Sequence, residues 1–483
     1  MAVLTGLEPK SVMKFFEEIA SIPHGSGDTK RISDYCADFA KERGLWYLQD
    51  QNNNIVIRKD GTAGREAHPY VMLQGHLDMV CEKEEGCLID FTKDGLELEV
   101  KDGKISAKGT TLGGDDGIAI AYALAILDSD SIEHPPIEAV FTVDEEIGLL
   151  GASALDMRVL KSKYMINLDS EDEGYLLVSC AGGATANCSL PVKREAFDGV
   201  MLTITADGLL GGHSGQEINK GRANSSMLLG RVLSNVFSKI SFRLVSISGG
   251  NKDNAIPRST SAVIAVKNEE EAEKISAVVS GLLKVISAEY SVTDPDIRLR
   301  TEKPAEAFGM LPMDEESTKR VIYMLRLFPA GVQRMSPNIA ELVQTSLNLG
   351  VLRTEEACVT SAFSVRSSVD SEKDELIGRI ASVMNVLGGT LSLSGIYPAW
   401  AYREDSKLRD IMVEVYKELY RKDMVVYAIH AGVECGLFCG AMKDLDAVSI
   451  GPDMKDIHTT EETLDIGSVQ RSWEYLLEVL KRL

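Results

Sequence analysis

VMLQGHLDMV, residues 71–80, decides the reading of this chain. Its opening residues are apolar and suit a buried β-strand, and the run ends on His76 and Asp78, two residues apart. Four further settings offer an acid or an imidazole: Asp115 in TLGGDDG, Glu145 and Glu146 in FTVDEEIG, Asp169 in MINLDS and His458 in DIHTTEE. Most of them lie where an apolar strand gives way to a loop. An open α/β sheet places its ligands there, outside the carboxyl ends of its strands. Two histidines with carboxylates form the nitrogen and oxygen donor set of a hydrolytic zinc site. The pattern predicts a metal-dependent hydrolase.

Working outward, SVMKFFEEIASI (11–22) and KRISDYCADFAKERG (30–44) have helical apolar spacing. NNIVIRK (53–59), YVMLQGH (70–76), IEAVFTVDEE (137–146) and YMINLD (164–169) read as strands. The short runs within 84–110 suggest a hairpin, and GIAIAYALAILDS (117–129) a helix of small apolar residues for burial on a sheet. Strands alternating with helices argue for α/β layers. Near residue 180 the character changes to the Gly- and Ala-rich CAGGATANCSL, and strand–helix alternation resumes until TLSLSGIY. SKLRDIMVEVYKELYRK (406–422) opens a last α/β stretch that contains His458. Because His458 completes a site begun at His76, the expected architecture is a discontinuous α/β catalytic domain. Its parts would be 1–185 and 397–483, with a second, α+β domain inserted at 186–396. No tandem sequence repeat is visible.

Composition narrows the function. The formal net charge is −22, from 73 acidic and 51 basic residues, which disfavours nucleic acid and anionic membranes as partners. No apolar run approaches the ~18 residues of a membrane helix, and MAVLTGLEPKSVMKFF lacks the features of a signal peptide. The eight cysteines are scattered without a C-x-x-C pair and read as reduced thiols, so the expected location is the cytoplasm. Cys435 and Cys439 are read as small buried residues rather than nucleophiles, because the histidine motifs are better explained by metal.

Taken together, QGHLDMV, GTTLGGDDGIA, TVDEEIGLLGA, INLDSEDEG, GGHSG, NAIPR, PNIAELVQTSLNLG, HAGVECGLF and IGPDMKDIHTTEE resemble the motifs of the M20 metallopeptidases, in their dipeptidase branch. The resemblance implies a central sheet of the zinc-peptidase type and two zinc ions per subunit, with manganese or cobalt able to occupy the same donors. His76 and Asp169 would hold one ion, Glu146 and His458 the other, and Asp115 would bridge them. That Asp115 bridges, rather than Asp116, comes from the resemblance. Asp78 would hydrogen-bond the far nitrogen of His76. Glu145 would be the general base, taking a proton from the metal-bridging water and delivering it to the leaving amine.

The resemblance also implies that 186–396 is a lid and dimerisation domain, and that His213, in GGHSG, stabilises the oxyanion, often from the partner subunit of a homodimer. Asn254 and Arg258 of NAIPR, Arg366 of SVRSS and Gly432 of HAGVECG are candidate substrate contacts. Arg258 and Arg366 both suit a free α-carboxylate. Glu434 suits either the substrate amino group or a structural role. The expected activity is hydrolysis of unblocked dipeptides, including Xaa-His such as β-alanyl-histidine. The alternatives are a deacylase of N-acyl amino acids on the same metal site and a catalytically dead binding protein, which predicts a missing ligand or base.

Overall fold

Val71–His76 forms a strand in which every residue is buried. It lies inside an eight-stranded sheet ordered Trp46–Gln49, Ile55–Lys59, Ile137–Thr142, Val71–His76, Tyr164–Asn167, Asp446–Ser449, Tyr175–Cys180, Val425–Ile429. The four strands from Ile137–Thr142 to Asp446–Ser449 run parallel. After Val71–His76 the chain passes through helix Gly114–Asp128 to the strand on one side, then to Tyr164–Asn167 on the other. The strand order therefore reverses at Val71–His76, and such a reversal opens a crevice at the strands' carboxyl ends.

Helix Gly114–Asp128 is buried continuously from Gly114 to Leu127. Its lack of a polar face is what a helix enclosed on all sides requires. Phe16 of helix Lys10–Ala20 lies so near Gly117 that a Cβ there would sit 3.3 Å from the ring. Gly75 has a similar reason on the sheet side: a Cβ would sit 2.4 Å from Asp116 Oδ2 and 2.6 Å from Ala119 Cβ. Glycine in this strand permits the close approach of the helix start.

The computed structural model describes residues 3–303 and 311–483. The chain divides into two compact units. The first comprises residues up to Cys180, Tyr402–Ala428 and Val433–Leu483; the second comprises Ala181–Ala401 and Ile429–Gly432. The reading of 186–396 as the insert starts later than this division, because CAGGATANCSL is itself a strand, Gly182–Pro191, of the second sheet. Ile429–Gly432 joins the second unit, where the Ala181 amide donates to the Ala431 carbonyl at 3.1 Å.

The second unit's sheet is antiparallel and ordered Arg298–Glu302, Val200–Asp207, Thr260–Val266, Arg243–Gly249, Val343–Thr354, Cys358–Ser367, Gly182–Pro191, Thr390–Tyr397. Gly331–Met335 pairs with Val343–Thr354 off this path. Strand and helix order resolve it into two copies of a βαββαβ motif. One runs Val200–Asp207, helix Ser225–Phe237, Arg243–Gly249, Thr260–Val266, helix Glu269–Glu289, Arg298–Glu302. The other runs Gly182–Pro191, helix Glu315–Leu327, Val343–Thr354, Cys358–Ser367, helix Asp370–Leu387, Thr390–Tyr397. Their second strands meet at Gly249 and Leu352. The first copy is threaded into the second, between its first strand and first helix. Leu229, Val232, Ile275, Leu325, Leu376 and Ile380 of the four helices share one core with the sheet. Among the described residues no disulfide joins the eight cysteines. Among the described residues no helix is long and apolar enough to cross a membrane.

Candidate metal centre

The parallel strands end level with one another. His76 pairs in register with Thr142, and Gln74 with Asn167. Glu145 and Glu146 thus follow three and four residues past the level of His76, and Asp169 follows its own strand by two. His458 arrives by another route. Its loop joins Met454–Lys455 to Thr463–Asp465 in a four-stranded sheet with the hairpin Leu98–Lys101 and Lys104–Ala107. Leu464 pairs with Ile105, just ahead of the GGDDG turn. That pairing brings His458 to Asp115 across 343 residues of sequence. His458 has φ +60°, the left-handed region that non-glycine residues seldom occupy.

The side chains converge on Asp115. Its Oδ1 lies 3.0 Å from His76 Nε2 and its Oδ2 3.2 Å from His458 Nε2. His458 Nε2 is also 2.7 Å from Glu146 Oε1, and His76 Nε2 is 3.6 Å from Asp169 Oδ1. Asp115, Glu146 and His458 each present a ligand atom within 4.8 Å of one another, as do His76, Asp116 and Asp169, and His76, Glu145 and Glu146. Asp116 nonetheless differs from Asp115, since its Oδ2 accepts the His76 backbone amide at 3.1 Å. Asp115 is the carboxylate that faces both imidazoles.

Asp78 takes a different geometry from the one the resemblance implies. His76 Nδ1 lies 2.9 Å from the Asp78 backbone carbonyl and 3.5 Å from its carboxylate. That carboxylate accepts the Ser26 hydroxyl at 2.8 Å and the amides of Glu145 and Glu146 at 3.1 and 3.4 Å. Asp78 therefore fixes His76 through its backbone and the two-glutamate loop through its side chain.

Electrostatics show what this cluster needs. Burial pushes Glu145 and Asp169 each up to about 8, aided by neighbouring carboxylates and opposed by His76. Burial also raises Asp116 well above the usual range. Burial alone would lower His76, but the nearby carboxylates of Asp115, Asp169 and Asp78 outweigh it and raise the imidazole pKa. His458 is lifted to about 10 by hydrogen bonds to Asp115 and Glu146. Asp78, Asp115, Asp116, Glu145, Glu146 and Asp169 thus outnumber the two imidazoles in a desolvated setting. An excess of buried negative charge is costly unless cations accompany it. Oxygen and imidazole donors shared through one carboxylate fit a pair of divalent ions.

In the second unit, Gly212–His213 pairs with Ala255–Ile256, which sets His213 beside the NAIPR segment. His213, Asn254 and Arg258 line one groove there, with Asn254 and Arg258 exposed. The Gly215 and Gln216 amides donate to His213 Nδ1 at 3.3 and 3.1 Å. An accepting Nδ1 leaves the proton on Nε2. Burial and the Arg366 charge lower the His213 pKa, so the ring is a neutral donor at pH 7. His430 is held at about 3 by burial, with the charges of Arg366 and His213 adding to it, and its Nε2 meets Ser346 Oγ at 2.7 Å. Arg366 donates to the Tyr397 hydroxyl at 3.0 Å. A Cβ on Gly432 would fall 2.5 Å from the Tyr397 ring, so close packing explains this glycine.

Glu434, read from the sequence as either a substrate contact or a structural residue, is tied with Gln74, Thr142 and Asn167 into the sheet. Glu434 accepts Gln74 Nε2 at 2.5 Å and the Thr142 hydroxyl at 2.7 Å, and Asn167 donates to Gln74 Oε1 at 2.6 Å. This fully buried network braces the strands that end in the candidate ligands. The polar Gln74 inside an otherwise apolar strand was its visible signal. Glu462 and Tyr397 had none.

The model of peptidase family M20/M25/M40 matches residues 72–482. The cytosol non-specific dipeptidase of Escherichia coli K12 is 36% identical over 485 aligned residues, spanning 100% of this chain and 99% of that protein. The crystal structure of aminoacylhistidine dipeptidase from Vibrio alginolyticus superposes with a TM-score of 0.95 at 35% identity, covering 99% of this chain and 98% of that one. The aminopeptidase PepT of Bacillus cereus shares the fold at a TM-score of 0.57 and 14% identity, with 98% of each chain covered. A family match across most of the chain and similarity over its full length place this protein in peptidase family M20/M25/M40.

Proposed function

We propose that this chain is a cytoplasmic dipeptidase carrying two zinc ions and acting on unblocked dipeptides, Xaa-His among them. The observation that carries the reading is Asp115, whose two carboxylate oxygens face His76 and His458 separately. His76 and Asp169 would hold one ion, Glu146 and His458 the second, with Asp115 shared between them. Bound there, two divalent ions would polarise the scissile carbonyl and bring the pKa of a water toward ~7.

The chain's own residues do the rest. Glu145, on the loop fixed by Asp78, accepts a proton from the attacking water and passes it to the leaving amine. His213 donates from Nε2 to the developing oxyanion as a neutral ring, which burial and the Arg366 charge keep uncharged. Arg366 or Arg258 pairs with the substrate α-carboxylate, Asn254 contributes its amide, and the Gly432 loop lines the pocket. The names of the Escherichia coli and Vibrio relatives support a dipeptidase. The word cytosol in the former supports the location.

The test is hydrolysis of β-alanyl-histidine and its N-acetyl form, before and after chelation and zinc return. Zinc-dependent cleavage of the free dipeptide alone is expected. Cleavage of only the acetylated compound would establish the deacylase instead, and manganese or cobalt replaces zinc if either restores higher activity. A homodimer through the second unit belongs to the same proposal. His213, Arg366 and His430 already interact within one chain's second unit. Light scattering on active fractions therefore decides whether a partner is present at all.

A further inference from the structure

We propose that Glu462 is a positioning residue that sets the loop of Asp115 against the loop of His458, and so tunes the affinity of the shared metal pair. The inference rests on the reading of Asp115 and His458 as ligands. Glu462 is 3% exposed. Its Oε2 accepts the amides of Leu112 and Gly113 at 2.8 and 3.2 Å, and its Oε1 those of Gly114 and Asp115 at 2.9 and 3.4 Å. Four successive backbone amides converging on one carboxylate form an anion nest, here filled from within the chain. Charge-assisted bonds of this kind are the stronger class.

The placement links two parts of the sequence. Asp115 supplies one of the four amides, and His458 lies four residues before Glu462 on a loop closed by the Glu462 amide donating to the Thr459 carbonyl at 3.2 Å. The turn is packed to accept this carboxylate. A Cβ on Gly114 would lie 3.2 Å from Glu462 Oε1, and Gly113 sits at φ +64° with a Cβ position only 2.8 Å from Met79 Sδ. A methyl at either glycine would crowd the turn that makes these bonds. The adjacent Glu461 is exposed and provides the control.

The experiment titrates zinc by calorimetry into the full-length, chelator-stripped wild type, Glu462→Gln and Glu461→Gln. A glutamine keeps the shape but turns an NH2 toward two backbone amides, so two of the four bonds fail. Residues that orient ligands typically contribute about 10–100-fold to metal affinity. The expected result is a loss of that size for at least one of two ions in Glu462→Gln, an unchanged Glu461→Gln, and recovery of kcat by excess zinc with KM unaltered. Wild-type affinity for both ions in Glu462→Gln would overturn the proposal, as would a lost kcat that saturating zinc does not restore. A wild type that fails to bind two ions would instead remove the reading of the site itself. Should Glu462→Gln not fold, Gly114→Ala crowds the same carboxylate and must show the same weakened zinc binding.

Discussion

Replacing Asp78 by Asn tests whether the loop of Glu145 and Glu146 is held by a charge. The carboxylate is buried and accepts Ser26 Oγ at 2.8 Å, the Glu145 amide at 3.1 Å and the Glu146 amide at 3.4 Å. An Asn side chain must put its NH2 on one side. Facing Glu145, it sets donor against donor and also abuts His76. Facing Ser26, it gives up only the longest bond, because the hydroxyl can turn and accept. The second orientation is therefore the one adopted. Its cost is the remaining charge assistance on two short bonds. Hydrogen bonds to charged groups contribute about 1.5–3 kcal/mol and neutral ones about 0.5–1.5, so the loss is about 2 kcal/mol. At 1.36 kcal/mol per tenfold, that corresponds to about a 30-fold fall in kcat if the loop is rigid only in the reacting complex. Steady-state kinetics on β-alanyl-histidine should show this fall with KM nearly constant, since Asp78 touches no proposed substrate contact. The His76 backbone contact to the Asp78 carbonyl survives the substitution, so both ions should still bind. Wild-type kcat in Asp78→Asn would refute the argument that the carboxylate positions Glu145. A large rise in KM would show that it acts elsewhere.

Glu145→Gln removes the proposed proton acceptor and keeps the shape; kcat should fall by about 10²–10⁴, with zinc stoichiometry measured by atomic absorption unchanged. His213→Ala should cost about 10²–10³ in kcat without altering zinc content, and a variant that retains wild-type kcat rules out the oxyanion role. Tyr397→Phe removes the hydroxyl that holds Arg366 while keeping the ring against Gly432. KM for the free dipeptide should rise about tenfold, the value of one bond to a charged group, and kcat should change less; an unaltered KM would leave Arg258 as the carboxylate partner.

The parts of this structure that were legible share a physical cause. A buried parallel strand is a continuous apolar run, so VMLQGH, IEAVFT and YMIN announce themselves, and the polar residues after each run fall at the crevice. Helix Gly114–Asp128 was legible for the same reason, being apolar on every side. Positions decided by packing or by main-chain bonds were not. Glu461 and Glu462 are the same letter side by side, yet one is exposed and the other collects four amides. For Asp78 the resemblance implied a carboxylate–imidazole bond, whereas the short turn after His76 delivers the backbone carbonyl first. CAGGATANCSL showed only as a change to small residues and not as a strand, because Gly182 and Gly183 lie against Ala399 and Tyr397 with no space for a Cβ.

The duplicated βαββαβ motif was hidden for a deeper reason. Its two copies share strand and helix order, which only pairing in space reveals, and one copy interrupts the other after its first strand. A period search along the sequence compares neighbours and cannot find a nested unit. The arrangement has a consequence for the site. His213 and the NAIPR segment lie within the first copy, between its strands, while Arg366 and Tyr397 belong to the second. The seam at Gly249 and Leu352 joins the two copies within one sheet. His213 and Arg366 are near enough for the guanidinium to depress the imidazole. The proposed oxyanion donor and one of the two proposed carboxylate-binding arginines thus lie in different copies of one motif in a single chain. A substitution that disrupts the seam should therefore separate two functions that a point change at either residue would affect alone.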